Sequence, residues 1–328
     1  MILIISKDEF DISTDDLIDW INYHGFKFTR INGIDIYRNI YCELGNQKFG
    51  FKVNNKIINF NKYSAIWIRR WFSYSNVDEM SLNCKSEFIS GLDELNQHIS
   101  LEVKTLRLFF HSMLQNNKNA INGNNVFELN KMEVLYHAQK VGLLIPKTFI
   151  ITSLKTLKKV FNSNPNKKFI TKPLSNCSSF KIENETFMEY TTEMDLLNIE
   201  SKKFAPSLLQ EKIEKLFEIR TFFIGNSYFS MAIFSQENPK TAIDFRKYDN
   251  IFPNRNCPYN LPESIKKKLI KLNKILGLKT GSIDLIKSTS GEFYFLEINP
   301  EGQYGMTSVP CNYRLDEKIS KYLSSYNK

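Results

Sequence analysis

The segment GSIDLIKSTSGEFYFLEIN, residues 281–299, reads as two apolar strands joined by a tight turn near Ser288 to Gly291. A hairpin of this kind constrains everything around it, because strand side chains alternate between faces. Glu297 and Asn299 then emerge on one side, while Leu296 and Ile298 point the other way and require a core. Asp284, on the first strand, is expected opposite about residue 295, on the face of Glu297 and Asn299. Two carboxylates and a carboxamide, with no His or Cys in the segment, make a hard oxygen donor set of the kind that holds Mg2+ against phosphates. The solvated polar face of an edge hairpin would show the same alternation. Pro300 and Gly302 end the second strand and release the loop EGQYG.

A hairpin with one apolar face needs a larger body to pack on. The 328 residues, 42% hydrophobic and 24% charged, suffice for two or three lobes. Residues 1–118 read as an α/β lobe: the strand MILIIS, a helix through Leu17, Ile18 and Ile21 ending at Gly25, the strand-like YSAIWIRRWF with Arg69 and Arg70, and a long helical region over roughly 86–115. Residues 119–208 open with one helix, NKMEVLYHAQKVGLLIP. Asn130 is its N-cap, Met132, Leu135, Tyr136 and Gln139 share a face, and Gly142 and Pro146 end it. The strands KTFIIT and KKFITKPL follow, with the helix SLKTLKKVFNS between them. Residues 209–328 contain the apolar strands around QEKIEKLFEIRTFFIGNSYFSMAIF, the helix PESIKKKLIKLNKILG with Gly277 past its end, and the hairpin.

Several classes are excluded. No apolar run reaches the roughly 18 residues of a membrane span. MILIISKDEF reads as a buried strand rather than a signal peptide. Five scattered cysteines without a C-x-x-C pair suggest neither a disulfide framework nor a zinc site, and the reducing cytoplasm is the expected compartment. The net charge of +9 suits a nucleic acid, a nucleotide or an acidic peptide; it also suits the Lys-, Asn- and Ile-rich usage of an AT-rich genome. Neither a P-loop nor a dinucleotide-binding glycine fingerprint occurs. Two lysines are nonetheless placed to meet phosphates: Lys131 at a helix start, and Lys172 at a strand end before the small-residue loop LSNCSS. Farther on, an apolar strand ends in Gln210 and Glu211, and Glu218 and Arg220 share a face of the next one. A solvated Lys/Glu-rich face remains an alternative there.

The order of these segments resembles the ATP-grasp superfamily over about residues 119–305, with residues 1–118 in the place of its usual preceding domain. A narrower resemblance, carried by IWIRRWF, NKMEVLYHAQKVGLLIPKTFIIT, DFRKYD and FLEINPEGQYGM…CNY, is to the maturases that make graspetides. These ATP-grasp enzymes join acidic side chains of a precursor peptide to Ser, Thr or Lys, giving ω-ester or ω-amide rings. The ending EINPEGQYGM…CNYRLDEKI is most similar to the grasp-with-spasm subgroup, whose gene neighbourhoods carry a radical-SAM SPASM protein. The sequence departs from the group in having Arg-Arg-Trp for its usual Arg-Arg-Pro, and in lacking glycines after Lys172.

The resemblance implies an α/β (α+β) ATP-grasp fold with ATP between the central and C-terminal lobes. It implies that Lys131 and Lys172 meet the phosphates, that Gln210, Glu211 and Ile213 border adenine, and that Glu218 is the ribose acid. Asp284, Glu297 and Asn299 would hold two Mg2+ ions. Arg220 and Arg246 would stabilise developing negative charge, with Asp244 orienting Arg246 or accepting the nucleophile's proton. The implied partner is a ribosomal precursor peptide with a leader and an acidic, hydroxyl-bearing core; a SPASM protein and a homodimer are compatible with it, and neither a membrane nor a nucleic acid is expected. For Arg69 and Arg70, nucleic-acid, structural and substrate roles stay open. Two competing readings share parts of the pattern: an ATP-grasp ligase that adds amino acids to a protein or peptide, and a non-catalytic basic module binding RNA or an acidic protein.

Overall fold

The structure is a computed structural model that describes residues 1–6, 11–33, 35, 40–45, 48–53, 56–69, 92–115, 117–122, 129–174, 179–182, 185–188, 191–199, 201–244, 247 and 249–326. The chain packs as two units: residues 1–128, 277–280 and 314–328, and residues 129–276 and 281–313.

In the first unit, β1 (Ile2–Ser6) is buried along its whole length and pairs in parallel with β2 (Phe28–Asn32) and β6 (Ala65–Ile68). A strand flanked on both edges and both faces reads as an unbroken apolar run, which is what MILIIS is. The helix α1 (Ile12–Tyr23) connects β1 to β2, and α2 (Leu92–Gln115) sends Phe110 and Leu114 into a core with Leu3, Ile5, Ile66 and Ile68. A separate antiparallel sheet is formed by β3 (Ile40–Gly45), β4 (Lys48–Val53) and β5 (Lys56–Ile58). Asn122, in the left-handed region at φ +60°, accepts from the backbone N–H of Lys279 and Thr280 and donates to the Thr280 carbonyl.

In the second unit, α3 (Lys131–Lys140) starts where expected: Asn130 Oδ1 accepts from the N–H groups of Met132 and Glu133. Gly142, at φ +84°, follows its end. The buried face differs from expectation. It is Val134, Leu135 and Ala138, while Tyr136 and Gln139 are exposed. The next sheet has the order β11 (Thr192–Glu193), β8 (Phe169–Lys172), β12 (Lys203–Glu211), β7 (Thr148–Ser153), all antiparallel. On it lies α4 (Leu154–Asn162), with Leu157 buried against Ile151, Phe169 and Leu209. The short strands β9 (Ser179–Ile182) and β10 (Glu185–Met188) pair with each other. A five-stranded sheet follows in the order β15 (Arg255–Tyr259), β14 (Ser227–Phe234), β13 (Lys215–Ile224), β16 (Thr280–Ser288), β17 (Phe293–Asn299). The helix α5 (Glu263–Ile275) buries Leu269 and Leu272, and Leu276 after it, as its 3.6-residue spacing predicts.

The end of the chain departs from the expected boundaries. The loop EGQYG leads into a short helix, α6 (Gly305–Cys311), and Tyr304 is 1% exposed, its ring 5.7 Å from that of Phe222. The last helix, α7 (Leu315–Ser325), packs on α1 in the first unit through a face of Leu315, Ile319 and Leu323, whereas the lobe boundaries read from sequence placed it with the C-terminal lobe. Among the described residues no helix is long and apolar enough to cross a membrane.

The loop after β17 is held hard against β16. A Cβ built on Gly302 would lie 2.5 Å from the backbone N and the Oγ of Ser282, closer than any side-chain carbon is tolerated. Gly302→Ala therefore forces backbone movement and is expected to destabilise the protein by about 1–3 kcal/mol, read as a lowered Tm. An unchanged Tm would mean that the loop yields freely.

Candidate functional site

A cavity of about 230 Å³ opens in the second unit between the two sheets' residues that the sequence singled out. Lys172, at the end of β8, lines it, as do Gln210 and Glu211 at the end of β12, then Ile213, Glu218, Asp244, Asp284 and Glu297. Strand ends supply most of these groups, so backbone hydrogen bonding holds each side chain at a set position.

Gln210 is 1% exposed; its Nε2 donates to Thr148 Oγ1 at 2.9 Å, while its Oε1 is buried with no partner. Glu211 accepts from Lys167 at 2.5 Å, and Glu193 from Lys212 at 2.5 Å, so two ion pairs flank the apolar stretch at Ile213. Glu218 is 7% exposed and accepts from Lys215 and from Ser235 Oγ. Burial pushes its carboxyl above the usual range, against the opposing pull of Lys215 and the Ser235 hydroxyl.

Arg220, two residues on, does not stand apart as a lone cation. Its Nη1 lies 2.9 and 2.8 Å from the two carboxylate oxygens of Asp284 on β16. Its Nε is buried with no partner. Lys131, the first residue of α3, donates to the Pro173 carbonyl at 3.2 Å and sits 3.8 Å from Glu297 Oε2. The helix start thus meets both the segment after β8 and the end of β17. Asp244 is 5% exposed and accepts from the Thr191 N–H at 3.2 Å. Arg246 lies outside the described residues, as do residues 175–178 of the loop after Lys172.

The hairpin register corrects one expectation. Asp284 lies directly opposite Glu297, and Leu285 opposite Phe295, so Leu296 is an extra residue in a β-bulge. Strict alternation put Leu296 in the core with Ile298. The bulge instead lets consecutive residues Leu296 and Glu297 both face the cavity, while Phe295 and Ile298 are buried. Asn299 is exposed, and its Oδ1 accepts from the N–H groups of Glu301 and Gly302, which shapes the turn that ends β17. Both lone pairs of this oxygen are engaged in the turn, so Asn299 meets a cation only where one of the two bonds is given up. Arg69, in the first unit, is 2% exposed and donates to Ser13 Oγ, which suits a structural role there; Arg70 lies outside the described residues.

The residues present fit a nucleotide with a divalent cation. Asp284 and Glu297, face to face on adjacent strands, are hard donors whose charge is balanced by Arg220 and Lys131. Among the described residues no cluster of three or more His, Cys, Asp or Glu side chains stands ready for a metal. A site of two carboxylates and a carboxamide leaves coordination positions for phosphate oxygens and water, as Mg2+ sites do. Two buried amide atoms of the cavity lining have no partner, Gln210 Oε1 and Gln236 Nε2. Such orphaned atoms are few in folded proteins. Gln236, Thr191, Lys215 and Leu296 were not anticipated. Only Lys215, three residues before Glu218, carried a spacing that could have marked it.

No family model matches the chain, and no curated protein matches it. Solved structures do. The macrocyclase MdnC bound with precursor peptide MdnA from Microcystis aeruginosa superposes with a TM-score of 0.77 at 25% identity, covering 99% of each chain. A RiPP-associated ATP-grasp ligase of Chryseobacterium gregarium, in complex with ADP and a leader and core peptide, gives 0.76 at 22% identity, covering 99% of this chain and 95% of that one. The ATP-grasp ligase PsnB with minimal precursor, Mg and ADP gives 0.75 at 15% identity, covering 100% and 97%. The chain has the ATP-grasp fold over its whole length.

Proposed function

We propose that this ATP-grasp chain is an ATP-dependent peptide maturase that activates Asp or Glu side chains of a ribosomal precursor peptide and joins them to Ser, Thr or Lys side chains. One observation carries the reading: the side chains that nucleotide-driven carboxylate activation requires converge on one cleft. Lys172, the buried Glu218 and the opposed Asp284 and Glu297 line it, Lys131 at a helix start stands 3.8 Å from Glu297, and Arg220 holds Asp284. That MdnC is bound with a precursor peptide, the Chryseobacterium gregarium ligase with ADP and a leader and core peptide, and PsnB with minimal precursor, Mg and ADP supports the same reading.

The roles follow from chemistry. Lys131 and Lys172 place point charges against the phosphates, which orients the γ-phosphoryl group for attack. The apolar pair Ile213 and Leu296 flanks the base, and the free Gln210 carbonyl accepts a hydrogen bond from an amine, as adenine offers. Glu218 accepts from ribose hydroxyls. Magnesium, held by Asp284, Glu297 and Asn299, would supply charge neutralisation across the phosphates. The peptide carboxylate takes the γ-phosphoryl group, becoming an acyl phosphate; a hydroxyl or amine of the same peptide then adds to that carbonyl and phosphate leaves. Arg220 and Arg246 stabilise the negative charge of these steps, and Asp244 orients Arg246 or accepts the nucleophile's proton.

Each ring closed in this way removes one water, a loss of about 18 Da by the stoichiometry of acyl transfer. Incubation of the protein with its cognate precursor peptide, ATP and Mg2+ is expected to give mass losses in multiples of that unit. A gain equal to an amino-acid residue would identify the amino-acid-adding ligase instead, and an unchanged mass with no ATP consumed would support the binding module.

A further inference from the structure

A long connection, residues 235–254, joins β14 to β15, and Gln236, Ala242, Ile243 and Asp244 within it line the cavity. Farther along, it exposes two adjacent large apolar side chains, Ile251 at 79% and Phe252 at 72%. A single apolar residue on a surface is ordinary, whereas two neighbours held out together by their own loop call for a partner. Asp249 does the holding. Its Oδ1 accepts from the N–H groups of Ile251 and Phe252 at 2.9 and 3.2 Å, and its Oδ2 accepts from Asn238 Nδ2 at 2.9 Å. The same amide donates to the Phe252 carbonyl at 3.3 Å. These bonds keep the Asp249 carboxyl below the usual carboxylate range. Asn238 stands two residues after Gln236, and its carbonyl accepts from the N–H groups of Thr241 and Ala242. Thr241 Oγ1 donates to Asn254 Oδ1 at 2.9 Å. The exposed pair is therefore tied to residues that adjoin the cavity lining.

Neither side chain of the pair has a charge or a polar atom, and the backbone N–H groups of both residues are committed to Asp249. What the pair fits is another apolar side chain, on something that comes to this connection. The proposed reaction brings a peptide to it, because Asp244, five residues before Asp249, is assigned to the attack of the peptide's nucleophile. With the nucleotide in the cleft, the peptide residues flanking the reacting side chain run out over the rim, about 3.3 Å apart along an extended chain. We infer that Ile251 and Phe252 seat a large apolar residue of the precursor peptide, a few positions from the side chain that reacts. This rests on the peptide-maturase reading and adds to it a requirement on the substrate. An apolar residue beside the reacting one gains affinity by burial against the pair, and its spacing selects which side chain of the peptide enters the site.

The test follows ring formation with the cognate precursor peptide at saturating ATP and Mg2+. It compares wild type with the double variants Ile251→Ser/Phe252→Ser and Ile251→Leu/Phe252→Leu. The serine pair should raise KM for the peptide about tenfold or more and leave kcat within about twofold, because binding lost equally from ground and transition states appears in KM. The leucine pair, still apolar, should stay within about threefold of wild type. Calorimetric affinity for ADP without peptide should be the same in all three. On the peptide side, the apolar residues near the reacting acid are replaced by serine one at a time. One replacement should raise KM with wild type but not with the serine pair, and this arm reads the contact in unaltered protein. An unchanged peptide KM in the serine pair, or no peptide position coupled to it, would overturn the inference. A defect in ADP affinity instead of peptide KM would overturn it too. So would a wild type that sediments as a dimer and a serine pair that sediments as a monomer with unchanged KM, since the occupant would then be a second copy of the chain. Failure of the wild type to close any ring would overturn the maturase reading together with this inference. Thermal melts confirm that each variant is folded.

Discussion

Glu297→Gln is expected to lower ATP-dependent turnover by roughly two orders of magnitude or more, while the protein keeps its fold. Glu297 is partly exposed and lies 3.8 Å from Lys131, so the neutral isostere removes a charged oxygen donor while keeping the side chain's shape. Turnover measured beside circular dichroism separates the two effects. Asn299→Ala should also abolish most turnover, but its side chain shapes the turn at Glu301 and Gly302, so part of that loss is structural. Near wild-type rates in a folded Glu297→Gln protein would remove Glu297 from the metal site.

Arg220→Ala is the second large effect. Its removal takes away the guanidinium 2.8 Å from Asp284, a side chain 13% exposed, and breaking a buried ion pair commonly costs about 3–5 kcal/mol. The chemical effect is distinct. The Nε is buried with no hydrogen-bond partner; under the proposed role Arg220 stabilises developing negative charge, and losing such a donor costs roughly 10²- to 10³-fold in rate. Arg220→Lys can still face Asp284 with a positive charge but has no Nε, so it should restore stability more fully than rate. Single-turnover rates, ATP affinities and melting curves for both variants check this. A lysine variant with full rate, or a defect confined to ATP affinity, would make Arg220 a structural or nucleotide-binding residue.

Where the sequence was informative, local physics was decisive. Asn130 caps α3 whatever else the chain does, which puts Lys131 at a helix start. The alternation of β13 puts Glu218 and Arg220 on one face, and the strand KFITK ends at Lys172 because Pro173 cannot continue the ladder. Long-range matters were not legible. The bulge at Leu296 depends on how β17 registers with β16, and one extra residue in an apolar run leaves no trace in the run itself. The buried face of α3 is chosen by its neighbours, so Tyr136 fell outside it. The helix α7 packs on α1, almost three hundred residues away in sequence, and no local pattern announces such a partner. Gln236 looks like any polar loop residue until its amide is seen to be buried and unpaired.

The central claim is that a peptide carboxylate is phosphorylated before it is joined, and oxygen transfer tests this most directly. A precursor peptide whose Asp and Glu side-chain carboxyls carry ¹⁸O on both oxygens is incubated with the protein, unlabelled ATP and Mg2+, and the released inorganic phosphate is examined by mass spectrometry. Activation as an acyl phosphate moves one carboxylate oxygen onto phosphorus, so the phosphate released for each ring formed should carry one ¹⁸O, with the other retained in the new ester or amide. Ring formation accompanied by unlabelled phosphate would contradict the account.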